Sequence, residues 1–348
     1  MTTYQSTITT NSKFRLDTTK RNILLIGKAE TNNKQGLILN PLSMSSAKAL
    51  YGDSDLYHAY EAARNITKDS NVFTVNCQLI TDYISLIDDI VHYNFDFIVP
   101  LDIYVRDTFV DPGNNLRQYF LSYYLELLES KENNATIIAT DRHSSLYESM
   151  DVFIRDSKKV LNKFISDNSL VLSRVGNNFV YVLNNIEECK YANVLIAASL
   201  ASYDFKSYPT DIKYKTYYDI DSFDLNDKNI CFYKYHDVSN ESSIEQLKNL
   251  RPVKDIYKKV LIDVLIKYVV KRLDLSEYNG TLYTPYTILK IEKSVKQILD
   301  SLSGEVLKDY TINKIYYNKI TINSGDIIVD VSIVPYGLLE KINICIEV

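Results

Sequence analysis

Three stretches of the chain carry residues able to do acid–base or phosphate chemistry: Asp102, the run Asp141-Arg142-His143, and the loop between Gly27 and Gly36. Asp102 closes the apolar segment FDFIVPLD (95–102), and Asp141 closes ATIIATD (135–141), so both fall where a strand is expected to end. Alternating α/β folds keep their ligands at the carboxyl ends of strands, and a hydrolytic or transferase site there is one reading. The other is that Asp and His cap the following helices or ride on loops, because no G-x-S-x-G nucleophile motif accompanies them. The loop GKAETNNKQG is neither G-x-G-x-x-G nor the Walker form with its Lys-Ser/Thr pair. With 9 glycines in the whole chain, a phosphate cradle is not expected. Cys77, Cys189, Cys231 and Cys345, and likewise His58, His92, His143 and His236, are scattered without any zinc-binding spacing. The expectation is no metal, no cofactor and no catalytic residue.

Composition narrows the class further. A chain of 348 residues with 46% hydrophobic content can bury a proper core in one large or two ordinary domains. Charged residues at 24% exclude wholesale disorder. The net charge of -5 argues against a nucleic-acid partner, since phosphate binding needs a basic surface. Four cysteines are too few for a disulfide scaffold and point to a reducing compartment. There is no 18-residue apolar run, and the N-terminus lacks the apolar middle of a signal peptide. A soluble protein made in a cytoplasm, with no membrane partner, is expected.

The elements that would position these residues begin at Asn22. NILLIGKA (22–29) reads as a buried strand, then helices follow over 45–51 and 55–65 with Gly52 as the stop between them. Strands are expected at 71–79, 95–102 and 135–141. Helices are expected at 83–93 with Ile84, Ile87 and Val91 inward, at 116–131, and at 149–167. This alternation implies βαβ units and a largely parallel sheet. Residues 170–183 read as a hairpin around Gly176-Asn177, and 190–202 as a helix of small residues. In the last third, NICFYKYH (229–236) is a short strand and Pro252 opens a helix to about Leu273. That helix carries Lys254, Lys258, Lys259, Lys267, Lys271 and Arg272, a candidate surface for a charged partner. Ile288, Ile291, Val295, Ile298 and Leu302 form the single apolar stripe of another helix, ended by Gly304. Three strand-like stretches close the chain at 311–322, 326–334 and 341–348.

The two ends are the most informative parts. Ile342, Ile344, Ile346 and Val348 alternate strictly with polar or small residues, and Ile327, Val329, Val331 and Ile333 do the same upstream. Burying four such side chains contributes about 6–12 kcal/mol as an upper bound. An apolar strand at a chain end is an invitation to pair with another chain, or a strand in its own domain's sheet. Residues 1–21 alternate loosely through Tyr4, Ser6 and Ile8 but hold too few large apolar groups to anchor themselves. They read as a tail, or as an arm that becomes a strand on another sheet. The first 21 residues carry a net +3 and the last 26 a net -3, a pairing that suits head-to-tail contacts between copies.

Three stretches together resemble contractile-tail sheath proteins of phages and phage-tail-like particles. They are residues 22–65, with a strand ending in Gly, a loop to Pro41 and Ser-rich helix starts; YANVLIAASLASYDF (191–205); and DIIVDVSIVPYGLLEKINICIEV (326–348). The chain departs from the sheath pattern at KYHDVSNESSIEQLKNLRP (234–252), where only Asn240 echoes an Arg-Gly-Val/Ile-Asn-Thr-like stretch. The resemblance implies an α/β fold: a βαβ-rich N-terminal part plus an α+β sheath-type C-terminal domain, with extended N- and C-terminal β-arms. Its parts would be an arm at 1–21, an α/β domain at 22–205, the C-terminal domain at 206–334 and an arm at 335–348.

The same resemblance implies a non-enzymatic role in a virion tail assembled in the host cytoplasm. Copies would stack helically as hexameric rings around an inner tail tube and contract, meeting baseplate and tail terminator proteins at the ends. The arms Tyr4, Ser6, Ile8 and Ile342, Ile344, Ile346, Val348 would add to a neighbour's sheet at receiving strands bearing Val329, Val331 and Ile333. Lys254, Lys258, Lys267 and Lys271 would face the tube. Two rivals stand beside it: a sheath-fold baseplate, neck or cap component of the same tail, and an α/β enzyme using Asp102, Asp141 or His143 on a small or sugar-nucleotide substrate.

Overall fold

In a computed structural model the chain forms two compact units, residues 1–260 and 261–348. The structure describes residues 21–202 except 32–34, 68–69, 79, 94, 111–112, 132, 134, 144–147, 176–177 and 185–189. It also describes the strands at 230–236 and 241–246, positions 272, 278 and 282, and residues 284–335 except 305–306 and 322–323.

The first unit is built on β1 (Asn22–Gly27), in which every residue is buried. A strand flanked by parallel neighbours has both faces covered, so it reads as the continuous apolar run NILLIG rather than an alternation. Parallel to it lie β3 (Asn71–Asn76) on one side and β4 (Phe97–Pro100) on the other, with Ile23 opposite both Val72 and Phe97. β7 (Thr136–His143) and β8 (Phe179–Asn184) continue the parallel run beyond β4. The two-residue β2 (Ile38–Leu39) and β10 (Glu241–Gln246) form antiparallel edges, and β9 (Ile230–His236) joins β8 to β10. The order β10-β9-β8-β7-β4-β1-β3-β2 is that of a doubly wound sheet. Its chain path reverses direction between β1 and β4.

Helix ends follow the capping chemistry. α1 (Met44–Tyr51) starts at Ser43, whose hydroxyl accepts from the Ser46 N–H at 3.1 Å while Ser46 Oγ accepts from the Ser43 N–H at 3.0 Å. It stops at Gly52, where φ is +69° and a Cβ would meet the Glu30 carboxylate at 2.1 Å. α2 (Asp55–Ile66) is capped by Ser54. α3 (Ile80–Ile90), β5 (Thr108–Val110), β6 (Arg117–Tyr119), α4 (Phe120–Ser130), α5 (Met150–Asp167), α6 (Ser169–Val175) and α7 (Ala192–Ala201) complete the unit. α7 packs on α2 and on β1, β4, β7 and β8. Nine of its ten residues are buried, which small side chains permit because they let the helix approach the sheet closely.

Three expectations are corrected. Residues 170–175 are not the first arm of a hairpin: Val171, Leu172 and Val175 share the buried face of α6, so helical spacing prevails over an apparent alternation. The helix expected from 116 begins only at Phe120, because 117–119 pair with 108–110 and leave Leu116 63% exposed. On α3 the inward face is Tyr83, Leu86, Ile87 and Ile90, whereas Ile84 is exposed. The boundary expected after residue 205 falls outside the described residues; further along the chain, β9 pairs with β8 through Tyr181 opposite Ile230, and the two compact units meet after Val260.

The second unit contains α8 (Pro285–Leu302) and a long hairpin, β11 (Leu307–Thr321) and β12 (Ser324–Pro335). Thr284 caps α8 by accepting from the Thr287 N–H at 3.1 Å, and Pro285 occupies the first helical turn, where its missing N–H costs nothing. Ile291, Val295, Leu299 and Leu302 are buried as the stripe requires, and Leu307 is buried with them.

Candidate functional site

Two places in the molecule collect the residues singled out above. The first is the crevice where the sheet reverses direction, the usual ligand site of such folds. β1 ends at Gly27, whose lack of a side chain makes room for Leu101; an added Cβ would lie 2.7 Å from Leu101 Cδ1. Leu101 N–H in turn donates to Ile26 O at 2.8 Å. The glycine therefore serves packing between strand ends rather than the approach of a phosphate.

Around it lies a cleft of about 220 Å³ including its open mouth, lined by Asp55, Leu101, Asp102, His143, Asn184, Lys190, Tyr191 and Asn193. The chain's own side chains engage the donors there. Asp102 Oδ2 accepts from the Lys28 N–H at 2.9 Å, and Asp55 Oδ1 accepts from Lys190 Nζ at 2.5 Å and from the Tyr191 hydroxyl at 3.1 Å. Asn193 Oδ1 accepts from Asn184 Nδ2 at 3.2 Å and from the Val194 N–H at 3.0 Å, occupying the start of α7. Burial raises the Asp102 carboxyl above its ordinary value, while the Lys28 N–H pulls the other way. For Asp55, burial is outweighed by the hydrogen bond and charge of Lys190, and its carboxyl sits below the usual range. Burial first and Lys190 second lower His143, whose buried Nδ1 has no hydrogen-bond partner among the described residues and whose ring meets Tyr104 edge-on at 6.0 Å. Tyr104 is pushed up to about 12 by burial, then by Asp102 and Asp107.

Of the three candidate catalytic residues, Asp102 and His143 meet in this cleft and Asp141 does not line it. Asp141 is 1% exposed and accepts a forked pair of hydrogen bonds from Arg106, one of them 2.6 Å long from Nε. Arg106 also reaches Asp156 on α5 at 3.1 Å, and Arg142 bridges Asp156 at 3.3 Å and Glu148 at 2.6 Å. The hydrogen bonds that Arg106 donates to Asp141 raise its pKa, so the guanidinium stays charged. This network clamps the 103–107 loop to β7 and α5. Its chemistry is structural. Among the described residues no Ser, Thr or Cys lines the cleft, its volume falls below that of ordinary ligand sites, and the Lys28 N–H and Lys190 Nζ are engaged by internal carboxylates. Among the described residues no cluster of His, Cys, Asp and Glu could hold a metal ion.

The second place is the β11–β12 hairpin. Val329, Val331 and Ile333 lie directly opposite Ile315, Ile312 and Tyr310 and share their half-buried face. Asp330 and Ser332 are exposed on the other face, where Asn313 Nδ2 donates to Asp330 Oδ1 at 3.1 Å and to Ser332 Oγ at 2.8 Å. α8 packs on β11, and the Tyr310 hydroxyl donates to Asp300 near the end of α8. Apart from a bridge between Leu307 and Ser303, each strand pairs among the described residues only with the other, so 15- and 12-residue strands each keep an outer edge of N–H and C=O groups. Such edges are templates for strand addition. The expected arm residues Tyr4, Ser6, Ile8, Ile342, Ile344, Ile346 and Val348 lie outside the described residues, as do Lys254, Lys258, Lys267 and Lys271. The stripe reading of α8 took its inward face and missed an outward row of Lys290, Lys293 and Lys296, which three- and four-residue spacing makes visible.

No protein-family model matches the chain, and no curated protein matches it in sequence. Solved structures do match along its whole length. A chain of the anti-feeding prophage baseplate, 6-fold symmetrised, aligns with 100% of this chain and 98% of its own, at 12% identity and a TM-score of 0.57. The anti-feeding prophage helical sheath in the contracted state gives the same coverage and identity at 0.55. The PVC sheath complex of an extracellular contractile injection system, also contracted, covers 99% and 98% at 12% identity and 0.58. A doubly wound sheet followed by a helix-backed hairpin, aligned end to end with these chains, is the fold of the contractile sheath proteins.

Proposed function

We propose that this chain is a structural subunit of a contractile tail or injection particle and not an enzyme. Copies polymerise as stacked hexameric rings around an inner tube, and contraction of the stack drives the tube through a target envelope. The observation that carries this reading is a sheath fold of full coverage whose second unit holds a hairpin with open edges. Its terminal arms, residues 1–21 and 335–348, add as strands to the hairpins of neighbouring copies, with Val329, Val331 and Ile333 on the receiving strand. Main-chain hydrogen bonds give such a mesh its strength, and alternating side chains give it register. The domains then rotate as rigid bodies between an extended and a contracted arrangement. Tube, baseplate and terminator proteins are its partners, and the tail is its location.

Against the enzyme reading stands the cleft, where Asp55 and Asp102 engage the donors a substrate anion would need. A second structural reading has its own support, since a baseplate chain matches as completely as the sheath chains do. A baseplate or cap component stops at a ring, whereas a main sheath protein propagates into tubes. Deleting residues 1–15 and, separately, making Ile344→Asp tests the arms: both variants are expected to stay as unassembled subunits by sedimentation and negative-stain microscopy. Normal tubes from either variant would overturn the arm mechanism.

A further inference from the structure

α8 has two faces, and packing within its own unit uses one. Ile291, Val295, Leu299 and Leu302 are buried. On the opposite side Tyr286 is 67% exposed, Leu289 is 62% exposed, and Lys290, Lys293 and Lys296 are all exposed. Positions 286, 289, 290, 293 and 296 recur at three- and four-residue steps, so they form one continuous strip along the helix. Lys290 Nζ lies 4.7 Å from the centre of the Tyr286 ring, which holds the charge beside the apolar patch rather than away from it. Lys293 and Lys296 form no ion pair among the described residues. An exposed strip that mixes two large apolar groups with three lysines, with Asp300 following at its far end, is the composition of a docking surface.

The complementary surface is present on the first unit. α3 buries Tyr83, Leu86, Ile87 and Ile90 and exposes Ile84, Asp88 and Asp89. Ile84 and Asp88 repeat the four-residue step of Leu289 and Lys293, with aliphatic opposite aliphatic and carboxylate opposite ammonium. Among the described helices the same step recurs at Val152 and Asp156 on α5, but that carboxylate is taken up by Arg106 and Arg142. α5 also presents Arg155, Lys159 and Lys163, which would repel α8, and on α2 the carboxylates of Glu61 and of Asp53, just before the helix, flank His58.

We infer that the outward face of α8 in one copy docks on the α3 face of a second copy, joining unlike units of neighbouring subunits. This inference rests on the reading that the chain polymerises. A contact between different patches on the two partners is heterologous, the type that builds rings and helical arrays rather than closed pairs. It acts separately from strand exchange, because it needs neither terminus.

Charge reversal tests the pairing on the full chain. Lys290→Glu with Lys293→Glu, and separately Asp88→Lys with Asp89→Lys, are each expected to raise the concentration needed for half-maximal assembly by about tenfold. Combining all four changes is expected to restore assembly to near the unaltered level. All the altered positions are exposed, so thermal midpoints should stay unchanged and report that folding is intact. Either double variant assembling normally would overturn the pairing. So would a quadruple variant that fails to recover, which would assign the α8 face to a different acidic protein. If the unaltered chain never assembles at any concentration, the polymer reading itself falls and this contact falls with it.

Discussion

The large sheet and the hairpin use the same aliphatic residues and finish them to different degrees. In β1, Ile23, Leu24 and Leu25 are fully buried and Ile26 nearly so, between parallel neighbours on both edges. In β12, Val329, Val331 and Ile333 are only half-buried, and the strand has one partner among the described residues. A two-stranded ribbon is marginal by itself, and α8 gives it a backing on one side. Among the described residues, the first unit therefore closes its sheet around a fully buried centre, whereas the hairpin of the second leaves its apolar face half-buried. That division suits the proposed role, in which rigid bodies are joined by shared strands.

Truncation of equivalent side chains should break the symmetry between the two regions. Phe164 is fully buried between Tyr119 and Phe179, with ring centres 5.2 and 5.6 Å away. Phe164→Ala is expected to cost about 3–5 kcal/mol of first-unit stability, read by denaturant unfolding of the unassembled chain. Next in size is Arg106→Ala, which leaves the Asp141 carboxylate buried without its fork of donors. A loss of about 2–3 kcal/mol is expected, with Arg106→Lys recovering only part because an ammonium cannot fork. Val331→Ala should cost less than about 1 kcal/mol in the unassembled chain, as its side chain is half-exposed there, yet weaken assembly measurably. Equal destabilisation by Phe164→Ala and Val331→Ala would erase the distinction between the two regions.

The smallest effect expected is one of pH. His143 is lowered by burial and by Lys190, so the folded unit favours its neutral form. Its contribution to stability is present above the unfolded value of about 6.5 and is lost as pH falls through the lower folded value. Between pH 7 and 5 the thermal midpoint should drop more steeply in the unaltered chain than in His143→Gln. Parallel slopes would mean that His143 carries no such linkage.

Much of this organisation was legible from residue patterns, and the exceptions have physical causes. β1, β7, α7 and α8 declared themselves because long runs of apolar residues at a single period leave little ambiguity. The alternation of Val329, Val331 and Ile333 likewise marked the face they occupy. β2, β5 and β6 are two or three residues long, too short for any period to emerge. α6 was hidden because LVLSRV satisfies both an alternating and a helical pattern, and burial of Val171, Leu172 and Val175 decides between them. The cleft was half visible. Asp102 and His143 stood out as strand-end residues, but the Asp55–Lys190 pair joins positions 135 residues apart and only folding brings them together. Arg106 was not singled out at all, since nothing local to it signals a buried carboxylate on β7.

The central claim, that the second unit is finished only by other copies, is tested most directly by negative-stain electron microscopy of the purified full chain across a concentration series. Rings or tubes whose abundance rises with concentration, and which vanish in the Ile344→Asp variant, are the expected result. Single particles of one subunit at every concentration would contradict it.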